Sequence, residues 1–263
     1  MMVEFRLEGN RVVFDVHPRV QAWFSTRRGG VSLPPFDTLN LSFGVGDLKA
    51  AVTENRRRMA AWGGRELDQL VMPAQVHGNH IEWVTRLHAG RGARGAHPIP
   101  DTDGFLTEDP EVLLGLGFAD CTPIFVADVN ARVVGLWHAG WRGTVKGIQR
   151  VGVEMLAQRG IPPEDLLIGL GPAIGPCCYE VDEPVVREVR RVADDAVLEP
   201  VDASHSRLDV RALNRRLLEQ AGVRPEHIAE APFCTGCRSD LFFSYRVQGR
   251  LTGRMGGYIC LKP

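Results

Sequence analysis

Three short segments of the chain set a histidine or a cysteine at the end of an expected strand, two of them with glycine close by: Gln75-Val76-His77-Gly78, Asp120-Cys121-Thr122-Pro123 and His138-Ala139-Gly140-Trp141-Arg142-Gly143. The separations are too long for a compact ligand motif, so the case rests on residue type. His77, Cys121 and His138 make a donor set that suits zinc, which accepts imidazole nitrogen and thiolate and catalyses with three protein ligands and an open fourth position. Zinc brings the pKa of bound water to about 7, making hydroxide available at neutral pH. A second chemistry uses the same atoms. Cys121 would attack as a nucleophile, His138 or His77 would take its proton, and amides of the Gly-rich turns would form an oxyanion hole. Both need a low-pKa thiol facing a cleft, and the residue types alone do not separate them.

Other clusters compete. Cys234-Thr235-Gly236-Cys237 is a C-x-x-C, half a zinc site or a redox pair. It has no second C-x-x-C, and the adjacent Cys177-Cys178 make joint chelation awkward. For an anion, Thr26-Arg27-Arg28-Gly29-Gly30 sits where a strand opens into a loop, so its amides and the Arg27 guanidinium would hold phosphate. In Asn55-Arg56-Arg57-Arg58 a helix points successive residues different ways, and Arg57 and Arg58 read as solvated charge. Trp141 either stacks on a base or plugs the core. His17, His80, His88, His97, His205 and His227 lack such settings. The zinc-deaminase pattern H-x-E with P-C-x-x-C is absent, as are H-E-x-x-H and a Gly-rich nucleotide fingerprint after a strand.

The elements that must position these residues follow from periodicity and turn chemistry. Val3–Leu7 and Val12–Val16 read as a hairpin about Glu8-Gly9-Asn10, and Gln21–Thr26 as a third strand. Further strands are expected at Val112–Phe118, Pro123–Asp128, Val133–Trp137, Leu166–Leu170, Leu241–Tyr245 and Met255–Leu261. Helices are expected over Ala50–Trp62, Thr144–Gln158 and Asp209–Ala221, the second stopped by Gly160-Ile161-Pro162 and the third by Gly222. His88–Asp101, rich in Gly, Arg and Pro, reads as a mobile excursion. Strands in runs with interspersed helices predict one α/β (α+β) domain over residues 1–263, its mixed β-sheets flanked by helices. Asp120-Cys121 then ends one apolar strand and His138 another, so the two can meet at one sheet edge.

Composition bounds the function. The chain has 263 residues, 44% hydrophobic and 24% charged, the balance of a globular domain with a sizeable core. Its 31 basic and 32 acidic residues leave a net charge of −1, which gives no basic arm for nucleic acid or membrane. The longest apolar run, Val112 to Ala119, is far below the roughly 20 residues of a spanning helix, and the charged start MMVEFRLEGN lacks the apolar stretch of a signal peptide. A cytoplasmic location is expected, where six cysteines are thiols, ligands or nucleophiles in place of a disulfide framework.

Taken together the segments resemble a known family. Phe24-Ser25-Thr26-Arg27, Gly29-Gly30-Val31-Ser32, Leu39-Asn40-Leu41, Asn55-Arg56, QVHG, Asp120-Cys121 with Pro123, HAGWRG, Gly171-Pro172-Ala173-Ile174-Gly175, Cys178-Tyr179-Glu180-Val181, Phe242-Phe243-Ser244-Tyr245-Arg246 and Thr252-Gly253-Arg254-Met255 run in order from about residue 20 to the end. This pattern is similar to the laccase-domain family, also called multicopper polyphenol oxidase-like or peptidoglycan-editing-factor proteins. The resemblance implies a single α/β domain, one resembling the cytotoxic-necrotizing-factor-type cysteine hydrolase fold. It also implies a zinc site on His77, Cys121 and His138, with copper as the older assignment. The implied activity is phosphorolysis of adenosine, inosine, guanosine and methylthioadenosine, with adenosine deamination beside it. The alternatives carried by the family are a copper polyphenol oxidase and a Cys-His hydrolase acting in peptidoglycan editing. Arg56 and Arg27, with Asn40 and Trp141, are the expected phosphate- and substrate-binding residues. The expected partners are small nucleosides and phosphate, handled by a monomer. In one departure, Arg246 is followed by Val247 where many relatives show a second arginine, so no paired-arginine role carries over there.

Overall fold

In the computed structural model, which describes residues 3–262, the buried faces of two six-stranded sheets meet in the main hydrophobic core. The first sheet runs Glu4–Glu8, Arg11–Asp15, Val20–Ser25, Met255–Leu261, Leu113–Phe118 and Leu70–Val71; only the last pair is parallel. The second runs Ile228–Glu230, Leu166–Leu170, Thr122–Asp128, Val134–Ala139, Gly104–Thr107 and Ile81–Trp83, antiparallel inside and parallel at both edges. A three-stranded antiparallel sheet of Glu180–Asp182, His205–Leu208 and Leu198–Pro200 packs with the Glu183–Arg190 helix as a smaller lobe.

Side chains alternate between layers with period two, as a pleated strand dictates. Ala22 and Phe24 enter the core between the sheets while Trp23 turns outward against Met59 and Ala60 of the Lys49–Trp62 helix. In the Thr122–Asp128 strand, Phe125 and Ala127 face the first sheet, and Ile124 and Val126 face the helices Ile148–Ala157 and Val210–Gln220. The molecule is therefore layered helix, sheet, sheet, helix. Strands covered on both faces read as continuous apolar runs. The chain forms the single mixed α+β domain expected, with few helices.

Three expectations are corrected. The helix expected over Thr144–Gln158 is broken: Trp141–Val145 ends at Gly147, whose φ of 77° takes the left-handed conformation, and Ile148–Ala157 starts afresh. Leu241–Tyr245 is not a strand. The Leu241 and Phe242 amides donate to the Arg238 carbonyl, and Ser244 caps a short helix over Tyr245–Gln248, so the run plugs the core without joining a ladder. Nor is His88–Asp101 a mobile excursion, for Gly92 bridges Val71, Ile99 bridges Pro73, and Ala93 and Ile99 are buried.

Candidate active site

The two central strands of the second sheet pair in the register Thr122↔Ala139 and Pro123↔His138, which sets Cys121 beside His138. The Gln75–Gly78 turn brings His77 over them. One ligand atom from each of His77, Cys121 and His138 lies within 4.8 Å of the others, and the two imidazole rings are 4.9 Å apart, nearly edge to face. His138 is buried, Cys121 half-buried and His77 exposed. Gly140 makes room for the thiol, since a Cβ there would stand 2.6 Å from Cys121 Sγ.

The group that organises the cluster is Asp103, a residue the sequence did not single out. Its carboxylate accepts the amides of Val76, His77 and Gly78 at 3.1, 3.0 and 2.7 Å, and His138 Nδ1 stands 3.1 Å from it. With Nδ1–H donating to Asp103, His138 presents Nε2 to the cluster, the arrangement that fixes a ligating imidazole's tautomer. The same carboxylate offsets the cost of His77's left-handed backbone, φ 58°. Gln75 pins the turn from its other end, its side-chain amide giving and taking hydrogen bonds with the Gly117 backbone. The only sequence signal for Asp103 is an acid just before a Gly-led strand, and Asp101 beside it looks equally good.

Charge in the cluster is mutually reinforcing. Burial alone would push the Cys121 thiol up, but the charges and hydrogen bonds of His138 and His77 outweigh it and bring the thiol down to about 6. Burial alone would lower His138, yet the Cys121 thiolate and Asp103 raise it to about 9. Asp103, buried too, is brought to about 2 by the hydrogen bonds from His138 and the Gly78 and Val76 amides. A thiolate with two imidazoles is a set that zinc accepts readily, His138 giving up its Nε2 proton to the incoming ion while Nδ1–H stays on Asp103.

This cluster forms part of the floor of a cleft of about 880 Å³ whose walls include Trp141, Tyr179, Arg56, Arg142, Arg246 and Arg254. None of these four arginines forms an ion pair with a carboxylate among the described residues. Arg56 is the extreme case: 6% exposed, it donates Nε to the Leu41 carbonyl and Nη1 to those of Gly92 and Ala93, and its guanidinium lies 4.5 Å from the Phe43 ring centre. Burial lowers its pKa to about 10. Arg254 donates Nη1 to the Thr252 and Gly253 carbonyls and is lowered by burial as well. Burial raises the Tyr179 phenol, which stays protonated.

Two expected substrate-binding residues are elsewhere. Arg27 is not in the cleft wall. It donates to the Asp37 and Ser239 carbonyls, pairs with the Asp37 carboxylate at 3.3 Å and lies over Phe243. The amides of Thr26, Arg27, Arg28 and Gly30 are all spent on protein acceptors, so that loop offers no anion nest. Asn40 is buried beneath the wall, binding Asp47 and the Ser42 and Arg254 backbone. Trp141 and Arg56 do line the cleft.

A family model described as multi-copper polyphenol oxidoreductase laccase matches residues 21–262. The chain belongs to this family. Among laccase-domain relatives, a Geobacillus stearothermophilus protein named purine nucleoside phosphorylase YlmD is 42% identical over 90% of this chain and 89% of its own. A protein from an unknown prokaryotic organism named adenosine deaminase RL5 is 33% identical over 88% and 90%. The crystal structure of the Bacillus licheniformis hypothetical protein YfiH superposes with a TM-score of 0.95 at 36% identity, covering 98% of this chain and 99% of that one.

Proposed function

We propose that this protein is a zinc-dependent purine nucleoside enzyme that cleaves adenosine, inosine, guanosine and methylthioadenosine with phosphate and also deaminates adenosine. The observation that carries this reading is one cleft holding both a His-Cys-His donor set and four arginines without carboxylate partners. Arg56 is buried and Arg254 partly so, and a buried cation without a counter-ion calls for an anionic ligand. The names of the relatives supply the substrate class. Substrates of this kind are soluble, which suits a cytoplasmic monomer.

His77, Cys121 and His138 would hold the zinc ion, which supplies a Lewis acid with an open coordination position. Asp103 keeps His138 in the ligating tautomer. Arg254 and Arg56 hold phosphate against the ribose anomeric carbon, with guanidinium groups that stay charged throughout. In phosphorolysis the bond from that carbon to the purine nitrogen breaks, a bond to phosphate oxygen forms, and the purine takes up a proton. In deamination water adds at the amino-bearing carbon and ammonia leaves. Trp141 offers a flat face for the base, and protonated Tyr179 can donate a hydrogen bond to the leaving purine.

Chromatography decides it. Inosine with phosphate should yield hypoxanthine and ribose 1-phosphate, and adenosine without phosphate should yield inosine. Arg254→Ala should raise the phosphate KM at least tenfold and leave deamination largely intact, because only one reaction uses phosphate. Arg56→Ala is a poorer probe, since Arg56 also holds three backbone carbonyls. No nucleoside turnover by fully metallated protein would reject the reading.

One observation favours a second chemistry. Cys121, His138 and Asp103 stand in line as nucleophile, base and orienting acid. Acylation of Cys121 by an activated acyl substrate, forming a thioester as the leaving group departs while the metal stays bound, would support the hydrolase. A copper oxidase fits less well, because the donor set of two imidazoles and one thiolate falls short of a multicopper centre.

A further inference from the structure

The sequence made joint chelation by Cys177-Cys178 and Cys234/Cys237 look awkward, and the fold removes the objection. The strands Leu166–Leu170 and Ile228–Glu230 are parallel neighbours, so the loops leaving their ends emerge side by side. Thr235 N donates to the Ala173 carbonyl at 3.0 Å and ties one loop to the other. The four Sγ atoms then lie within 4.8 Å of one another, Cys237 standing 3.3 Å from Cys177 and 3.4 Å from Cys178. Sulfurs around a tetrahedral zinc, with Zn–S near 2.3 Å, are separated by about 3.8 Å. The Gly175 amide donates to Cys234 Sγ at 3.1 Å, a bond that favours a thiolate. Gly236 leaves the space: a Cβ there would stand 3.0 Å from Cys178 Sγ.

We propose that Cys177, Cys178, Cys234 and Cys237 form a closed four-thiolate site for a structural zinc ion, distinct from the His77, Cys121 and His138 cluster. Four sulfurs converging on one point satisfy a tetrahedral ion together, whereas disulfides would use them only in pairs. The site staples the two loops that hold Asp120. Ile174 N donates to the Asp120 carbonyl at 2.9 Å, and Thr235 Oγ1 to its carboxylate at 2.7 Å. Asp120 adopts φ 82°, a costly backbone for this residue, directly before Cys121. The second ion thus helps keep the Cys121 thiol in place through Asp120, without touching substrate.

The test is metal content of the full chain, expressed with added zinc and purified anaerobically without chelator. Wild type should carry about two zinc ions, the double variant His77→Ala/Cys121→Ser about one, and Cys234→Ser/Cys237→Ser one fewer than wild type. With cobalt in place of zinc, His77→Ala/Cys121→Ser should show the strong thiolate-to-cobalt charge transfer of a four-sulfur tetrahedral site. That measurement stands even if the cysteine variant fails to fold. A single zinc in wild type that vanishes in His77→Ala/Cys121→Ser would overturn the proposal. So would a cobalt spectrum without thiolate bands, or a mass four hydrogens low with the four thiols unreactive, the sign of two disulfides.

Discussion

Asp103 shows why a site is only partly legible in residue types. His77, Cys121 and His138 announce themselves because imidazole and thiol are scarce side chains with a chemistry of their own, but a carboxylate that orients them looks like any loop acid. Removing its charge should be felt at the metal: Asp103→Asn is expected to weaken zinc binding about 10–100-fold, read by competition with a chromogenic chelator. Unchanged affinity would mean the three amides it accepts matter only for the turn. Arg27 misled for the opposite reason. Its sequence setting resembles an anion loop, yet folding spends its guanidinium on Asp37 and Ser239. Gly140 carries information that only the packed structure discloses. Gly140→Ala would drive a methyl group to 2.6 Å from the Cys121 sulfur. Metal content should fall sharply while the melting temperature of the metal-free protein changes little.

At the scale of elements, the apolar runs Leu113–Phe118, Thr122–Asp128 and Leu166–Leu170 were readable because burial on both faces leaves no polar interruption. Strands of two to four residues, such as Leu70–Val71 and Gly104–Thr107, carry too few positions for a pattern. Leu241–Tyr245 has a strand's composition but lies where its amides find local acceptors. The turn joining Thr122–Asp128, which follows directly on Cys121, to Val134–Ala139, which carries His138, is held by Asp128, whose fully buried carboxylate accepts the amides of Arg132 and Val133 at 2.6 and 2.9 Å and pairs with the Arg132 side chain at 3.0 Å. Asp128→Ala should cost about 1–3 kcal/mol in denaturant unfolding. Burial alone would raise the Asp128 pKa, but the Val133 amide and Arg132 outweigh it and lower it. The stabilisation is therefore complete above the unfolded carboxyl pKa of about 3.9 and is lost as pH falls below it. The difference between wild type and Asp128→Ala should shrink in acid; a constant gap would contradict this.

For the molecule as a whole, the layered architecture was foreseeable from the mixture of runs and helices, whereas the strand order was not. Metal binding should stabilise the entire fold, because the donors come from segments that only folding brings together. Zinc at a hundred times its Kd adds about 2.7 kcal/mol. Stripping it should lower the melting temperature by several degrees, restored on adding zinc back. The order within the first sheet has a consequence for synthesis. Met255–Leu261 lies in its interior, hydrogen-bonded to Val20–Ser25 on one side and Leu113–Phe118 on the other. While residues 255–261 are still inside the ribosome, the two halves of that sheet have nothing to join them, and the amides and carbonyls of both inner edges stay open. The nascent chain thus emerges with two exposed strand edges that only residues 255–261, made after both neighbours, can close, and until then it is the form most in need of a chaperone.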